Sequence, residues 1–172
     1  MNAIIGYSCT RAEWETLRLL LELSLPLGVS ETPLDKDACQ EAYDSLCAAG
    51  ILTPVGGKVL VDQLYSFLLA ELSESGLCLT CRSEGRHVQL FRGSGLLILC
   101  EWTVRNCTMT PVQDPASARD PLLNAFSRCS VPLTLELMRE NTLLDSLEFD
   151  SAESARRGLD GMFQAFASLA GE

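Results

Sequence analysis

Two cysteines separated by two residues, Cys78 and Cys81, are the feature of this sequence that most resembles a metal or redox site. Zinc would also need a second thiolate pair, for which Cys100 and Cys107 are the candidates. On a strand, an odd offset points Cys78 and Cys81 to opposite faces, and no glycine between them allows a tight turn. A redox pair of this spacing normally begins a helix, which lowers the thiol pKa. Core cysteines are therefore favoured over zinc, and zinc over redox chemistry.

The single histidine, His87, follows Arg86 at the start of a predicted strand. Histidine catalysis needs a nucleophile and an orienting acid close by. Ser94, on a glycine turn, lacks the G-x-S-x-G context of a nucleophilic serine. An exposed strand histidine is therefore the favoured interpretation, and no catalytic residue is predicted.

Four carboxylates, Asp145, Glu148, Asp150 and Glu153, lie close enough in sequence to suggest a metal cluster. They straddle a predicted helix start, where carboxylates are stabilised by the helix dipole. Capping and surface charge are therefore favoured, and we expect neither a metal nor another cofactor.

The charge of the chain disfavours nucleic acid as a partner. The formal net charge is -10, and the thirteen Lys and Arg residues are scattered. A DNA or RNA binder needs a dense positive face to displace counterions from phosphates. Because no secretory signal or long apolar run is apparent, we expect a cytoplasmic protein without membrane contact, with its eight cysteines reduced.

The first part of the chain, 1–75, is predicted to be helical and to resemble a winged helix. Residues 2–7 indicate a short strand or ordered arm. A capping box of Thr10 and Glu13 begins a helix that ends near Pro26. Asp35 caps a second helix that Gly50 ends. A glycine hairpin at 56–57 precedes a third helix, capped by Asp62 and running to about Leu72.

From 76 to 112 the apolar period changes from 3.6 to 2, which predicts an antiparallel meander of about four strands. The part 113–172 is predicted to be helical: a polar connection, a short helix from Pro121 to Phe126, a helix over 132–147, and a last helix capped by Asp150. The predicted fold class is thus α+β in one domain, 1–172, with the sheet flanked by N-terminal winged-helix-like helices and C-terminal helices.

Two regions are candidate contact surfaces for a protein partner. The first is the glycine turn between two strands, with the residues Phe91, Arg92 and Leu96. The second is the apolar stripe of the last helix, with Met162, Phe163 and Phe166. Such a stripe is more often core, but an amphipathic terminal helix can also form a groove for a partner helix.

The order of these signals is similar to that of the EspG family, cytosolic chaperones of type VII secretion in mycobacteria. The similarity is a pattern of apolar and turn positions over about residues 11–126. It rests on the segments Glu13 to Leu17 (EWETL), Leu25 to Leu27 (LPL), Leu46 to Leu52 (LCAAGIL), Asp62 to Leu69 (DQLYSFLL), Leu96 to Leu99 (LLIL), Thr108 to Val112 (TMTPV) and Pro121 to Phe126 (PLLNAF).

The resemblance implies an antiparallel sheet flanked by helical bundles, and binding of the helical tip of a secreted partner, which is kept soluble until export. It implies no catalytic residues. This chain is shorter than the family, so a homodimer is a possible replacement for the second half of the family's pseudo-symmetric fold. The first hypothesis is a non-catalytic adaptor or chaperone for a helical secreted protein. The alternatives are a winged-helix transcription regulator, opposed by charge, and a zinc-binding or thiol enzyme.

Overall fold

The computed structural model describes residues 5–172, which form an α+β fold with five helices and nine strands. Residues 2–4 of the strand or arm expected at 2–7 lie outside the described residues. The helices are α1 (Arg11–Leu20), α2 (Lys36–Ala48), α3 (Gln63–Glu74), α4 (Pro115–Phe126) and α5 (Ala152–Ala170). The strands are β1 (Tyr7–Thr10), β2 (Leu52–Val55), β3 (Lys58–Val61), β4 (Leu77–Ser83), β5 (Arg86–Arg92), β6 (Leu97–Thr103), β7 (Asn106–Val112), β8 (Leu133–Arg139) and β9 (Thr142–Phe149).

The main sheet has seven strands in the order β1-β7-β6-β5-β4-β8-β9, and every pairing within it is antiparallel. The meander predicted over 76–112 is confirmed as β4 to β7. The prediction of about four strands is wrong, because β1 extends one edge and the hairpin β8–β9 extends the other. The glycine hairpin at 56–57 is confirmed as the separate pair β2–β3.

The helix predicted over 132–147 is wrong, since this segment forms β8 and β9. The prediction used the four-residue spacing of Leu133 and Leu137. Leu135 lies between them, however, and all three leucines are buried on one face of the strand. That is the two-residue period of a half-buried strand, and pairing of β8 with β4 satisfies its backbone groups.

Each face of the sheet carries its own core. Leucines of β4, β6 and β8 pack against α4 and α5 in the first core. The second core joins the opposite face to α1, α2, α3 and the β2–β3 hairpin. The result is three layers, with the sheet buried between two helical layers.

The predicted helix starts are partly confirmed. The Thr10 capping box and the Asp35 and Asp62 caps are present, and Gly50 has the positive φ of 74° expected after a helix end. Two starts are corrected: α4 begins at Pro115 after an Asp114 cap, with Pro121 inside it, and the cap of α5 is Ser151. None of the helices within 5–172 is long and apolar enough to cross a membrane.

Candidate functional site

Most of the predicted contact residues are core residues. Phe91 is fully buried in the second core, where Leu96 also packs. Met162, Phe163 and Phe166 are 3%, 8% and 0% exposed, because α5 lays its apolar stripe on the sheet. A partner could reach these three side chains only by displacing α5. Arg92 and Leu96 remain partly exposed, and they flank the glycine turn between β5 and β6.

The glycine turn is held by a carboxylate from α3. Glu71 accepts hydrogen bonds from the backbone N–H of Ser94 at 2.5 Å and from its hydroxyl at 2.7 Å. Gly93 closes the turn by donating its N–H to the Leu96 carbonyl at 2.8 Å. A Cβ at Gly93 would overlap a Glu71 carboxylate oxygen, so a side chain there would displace Glu71 from the turn. The turn is therefore joined to the end of α3 by two hydrogen bonds.

A cleft of about 400 Å³ opens beside this turn, at one end of the sheet. It joins the two regions that the sequence offered as contact surfaces, because Arg92 of the turn and Leu169 of α5 both line it. Three carboxylates and two guanidiniums share the cleft with a little apolar surface. The other lining residues are Glu71, Glu74, Gly76, Leu77, Gly93, Ser94, Arg139 and Glu140. Its chemistry suits polar groups of a partner protein better than an apolar small molecule.

The outer face of α3 has exposed apolar residues in its first turns and reaches the cleft with its last turns. Leu64 and Phe67 are 51% and 45% exposed, whereas Leu68, Leu69 and Leu72 are buried. Leu64, Phe67, Glu71 and Glu74 recur at the spacing of one helical face. We call this set the α3 face. It is apolar in its first turns and acidic in its last ones.

The β2–β3 hairpin places further apolar surface before α3. In the hairpin register, the Thr53–Leu60 and Val55–Lys58 pairs point away from the pair formed by buried Leu52 and half-buried Val61. Val55 and Leu60 are accordingly 54% and 57% exposed on the same outer side. Exposed apolar side chains mark a contact surface where they form one contiguous patch, whereas single ones are common on any protein surface.

The sequence analysis did not select Leu64 and Phe67, although a signal was present. Between Leu64 and Leu72, α3 has apolar residues on more than one side of the helix. One buried face would need fewer apolar residues than this. Which of them face the core depends on where the sheet lies, and the periodicity of the helix does not contain that information.

His87 is half-buried, so the expectation of an exposed histidine is wrong. It lines a small cavity of about 40 Å³ with Arg11, Arg82 and Trp102. Burial lowers the pKa of His87, and the positive charges of Arg82 and Arg11 lower it further. The imidazole is therefore neutral at neutral pH. Arg82 is already engaged, because its Nε donates to Glu136 at 2.9 Å and its Nη2 donates to the Gly28 carbonyl.

The Cys78 and Cys81 side chains lie in different cores, on opposite faces of β4, as the odd offset predicts. Cys129, which follows α4, interacts with the Cys81 thiol, and this interaction lowers the pKa of Cys129 to about 7. Burial raises the pKa of Cys78 to about 12. Among residues 5–172, no group of three or more His, Cys, Asp and Glu side chains is placed to hold a metal ion.

The second helix, which would read DNA in a winged helix, exposes acidic residues. Asp37, Glu41 and Asp44 of α2 are exposed, and Gln40 donates to the Asp44 carboxylate at 2.9 Å. Phosphates would be repelled by this face. The order of two helices, hairpin and third helix is confirmed, and the transcription regulator stays a hypothesis based on that order alone.

No family model and no curated protein matches the sequence. Among solved structures, the fold is similar to that of the Mycobacterium tuberculosis type VII secretion system chaperone EspG5, determined in complex with a PE25–PPE41 dimer. The TM-score is 0.53 at 12% sequence identity, and the match covers 72% of this chain. It covers 51% of the chaperone chain, so this protein spans about half the length of that relative in fold.

Proposed function

We propose that this protein is a non-catalytic adaptor or chaperone that binds a helical secreted protein through the α3 face. The observation that carries the proposal is the fold similarity to the type VII secretion chaperone, which was itself captured with a protein partner. Cytoplasmic action before export belongs to the same proposal, as does the absence of a catalytic role.

The exposed side chains of α3 support the choice of this face. Leu64 and Phe67 are one turn apart and together present an aromatic and an aliphatic side chain to solvent. A partner helix that covers them would remove apolar surface from water, which is the main driving force of such contacts. Aromatic residues at the centre of an interface commonly contribute most of the binding energy.

The cleft at the other end of α3 provides polar contacts that orient the partner. The Arg92 side chain has neither a hydrogen bond nor an ion pair within the described residues, whereas Arg139 pairs with Glu172 at 3.2 Å. A partner carboxylate that reaches Arg92 would gain a charge-assisted hydrogen bond. Apolar contacts would thus supply affinity, and the cleft would set the direction of the bound helix.

The test is co-expression with each protein encoded by the neighbouring genes, followed by size-exclusion chromatography of the complex. We expect a stoichiometric complex with the wild type. Phe67→Glu should weaken it by roughly 30-fold, which corresponds to about 2 kcal/mol for the loss of a central aromatic contact. Val104→Glu is the matched control, because Val104 is 75% exposed on the β6–β7 turn and lies outside the α3 face.

The outcomes separate the function from its site. If no helical protein forms a complex with the wild type, the adaptor function is wrong. If a complex forms and Phe67→Glu binds as tightly as Val104→Glu, the function stands and the α3 face is the wrong surface.

A further inference from the structure

The last strand of the main sheet has a free edge and carries exposed leucines. β9 pairs with β8, and no strand within 5–172 pairs with its other side. Leu143, Leu144 and Leu147 of this strand are 51%, 47% and 38% exposed. The unpaired N–H and C=O groups of such an edge form a template for another strand, and exposed leucines make pairing there favourable.

The position of Leu147 shows what a paired strand would cover. Leu147 lies opposite Leu135, which is fully buried in the first core. Its side chain therefore points to the α5 side of the sheet, at the margin of that core. A strand added beside β9 would bury Leu147 and extend the first core across the new boundary.

The sequence of β9 is suited to pairing with a copy of itself. A two-fold axis perpendicular to the sheet keeps every side chain on its own face, so the axis must pass through a residue position. An axis at Leu147 places Leu147 against its own copy, Ser146 against Glu148, and Asp145 against Phe149. No like charges then lie directly opposite each other. An axis at Asp145 would instead place the two Asp145 carboxylates opposite each other, which is unfavourable.

We propose that β9 pairs antiparallel with β9 of a second copy of this chain, about a two-fold axis at Leu147, so that two seven-stranded sheets become one. The contact is isologous, as is usual for a closed dimer. It uses β9, which contributes no residue to the α3 face, and it does not rest on the proposed function.

The net charge predicts the salt dependence of this dimer. Each copy carries a formal charge of -10, so long-range repulsion opposes association. Added salt screens that repulsion, and the dimer should become tighter from low to high salt. If β9, which carries Asp145 and Glu148, instead bound a basic strand of another protein, added salt would weaken that complex. The purified chain would then remain a monomer.

The test is sedimentation equilibrium of the purified full chain over the micromolar range at low and high salt. We expect a monomer–dimer equilibrium that shifts to dimer as salt increases. Leu147→Lys should weaken association by about tenfold or more, because the two ammonium groups would meet at the axis. Val104→Lys is the control for added charge, since it changes a more exposed apolar residue away from the edge.

A second measurement fixes the register and guards against a folding defect. Leu147→Cys should form a disulfide-linked dimer under mild oxidation by air, because the residue meets its own copy at the axis. Val104→Cys should not. A monomeric wild type, a dimer that Leu147→Lys leaves as tight as Val104→Lys does, or no cross-link through Cys at position 147 would each overturn the proposal. If circular dichroism shows that Leu147→Lys is unfolded, the cross-linking result alone tests the proposed dimer.

Discussion

The chemistry of the eight cysteines is decided residue by residue. Cys78 and Cys107 are buried in the second core, and burial raises the pKa of each thiol. Cys129 differs because it is half-buried and its pKa is lowered to about 7 by its interaction with the Cys81 thiol. The same interaction, together with burial, raises the pKa of Cys81. The Cys129 thiol therefore ionises near neutral pH.

We therefore predict that Cys129 is the thiol that iodoacetamide alkylates fastest at pH 7. Its rate should rise with pH to a midpoint near 7, because the thiolate is the reactive form and the Cys81 bond stabilises it. Cys81→Ala removes the donor and should slow alkylation at pH 7 by about tenfold. Cys81→Ser keeps a donor and is the matched control. Peptide mass spectrometry over a pH series measures each rate, and equal midpoints in all three proteins would contradict the assignment.

Two glycines of α5 illustrate how an element depends on its neighbours. The sequence predicts that Gly158 and Gly161 both weaken this helix, since glycine is a poor helix former. Their surroundings differ, however. A Cβ at Gly158 would enter the ring of Phe149 on β9, whereas a Cβ at Gly161 would meet open space. Gly158 is required by the contact of α5 with the β8–β9 hairpin, and Gly161 is not.

We predict opposite effects of the same substitution at these two positions. Gly158→Ala should lower the free energy of unfolding by about 1–3 kcal/mol, because the new methyl group must displace Phe149 or the helix. Gly161→Ala should raise it by about 0.5–1 kcal/mol through helix propensity. Urea denaturation of the two variants beside the wild type measures both, and each serves as the control for the other. Similar effects of the two changes would show that α5 does not approach Phe149 so closely.

The β8–β9 hairpin was predicted as a helix because its fold also depends on a neighbouring element. Leu133, Leu135 and Leu137 satisfy the period of a strand, while Leu133, Leu137 and Leu144 also satisfy much of the period of a helix. The free edge of β4 decides between them, because β8 can pair along it over six residue pairs. The residues of 132–147 do not by themselves indicate that the edge of β4 is free.

At the scale of the whole molecule, two cores share one sheet. Each of the strands β4 to β7 contributes side chains to both cores. Loss of either core should therefore destabilise the other. This arrangement agrees with the single domain expected from the sequence, which remains a prediction.

We predict that the chain unfolds in one cooperative transition. Trp14 and Trp102 both lie in the second core, with ring centroids 5.1 Å apart, so their fluorescence reports that side alone. Circular dichroism sums all the helices. Leu69→Ala in the second core and Leu135→Ala in the first should each lower stability by about 2–5 kcal/mol. The fluorescence and dichroism midpoints in urea should coincide in both variants, and separate midpoints would indicate two independently unfolding units.

The sequence by itself determined the local features of this protein: the helix caps at Thr10, Asp35 and Asp62, the glycine hairpin, and the meander of β4 to β7. These depend on hydrogen bonds and side-chain periods within a few residues, which the amino-acid order states directly. Only the tertiary structure decided that 132–147 is a hairpin, that Phe163 and Phe166 are core, and that Leu64 and Leu147 are exposed. Burial depends on which distant element covers a face, and that is a property of the packed sheet and not of any one segment.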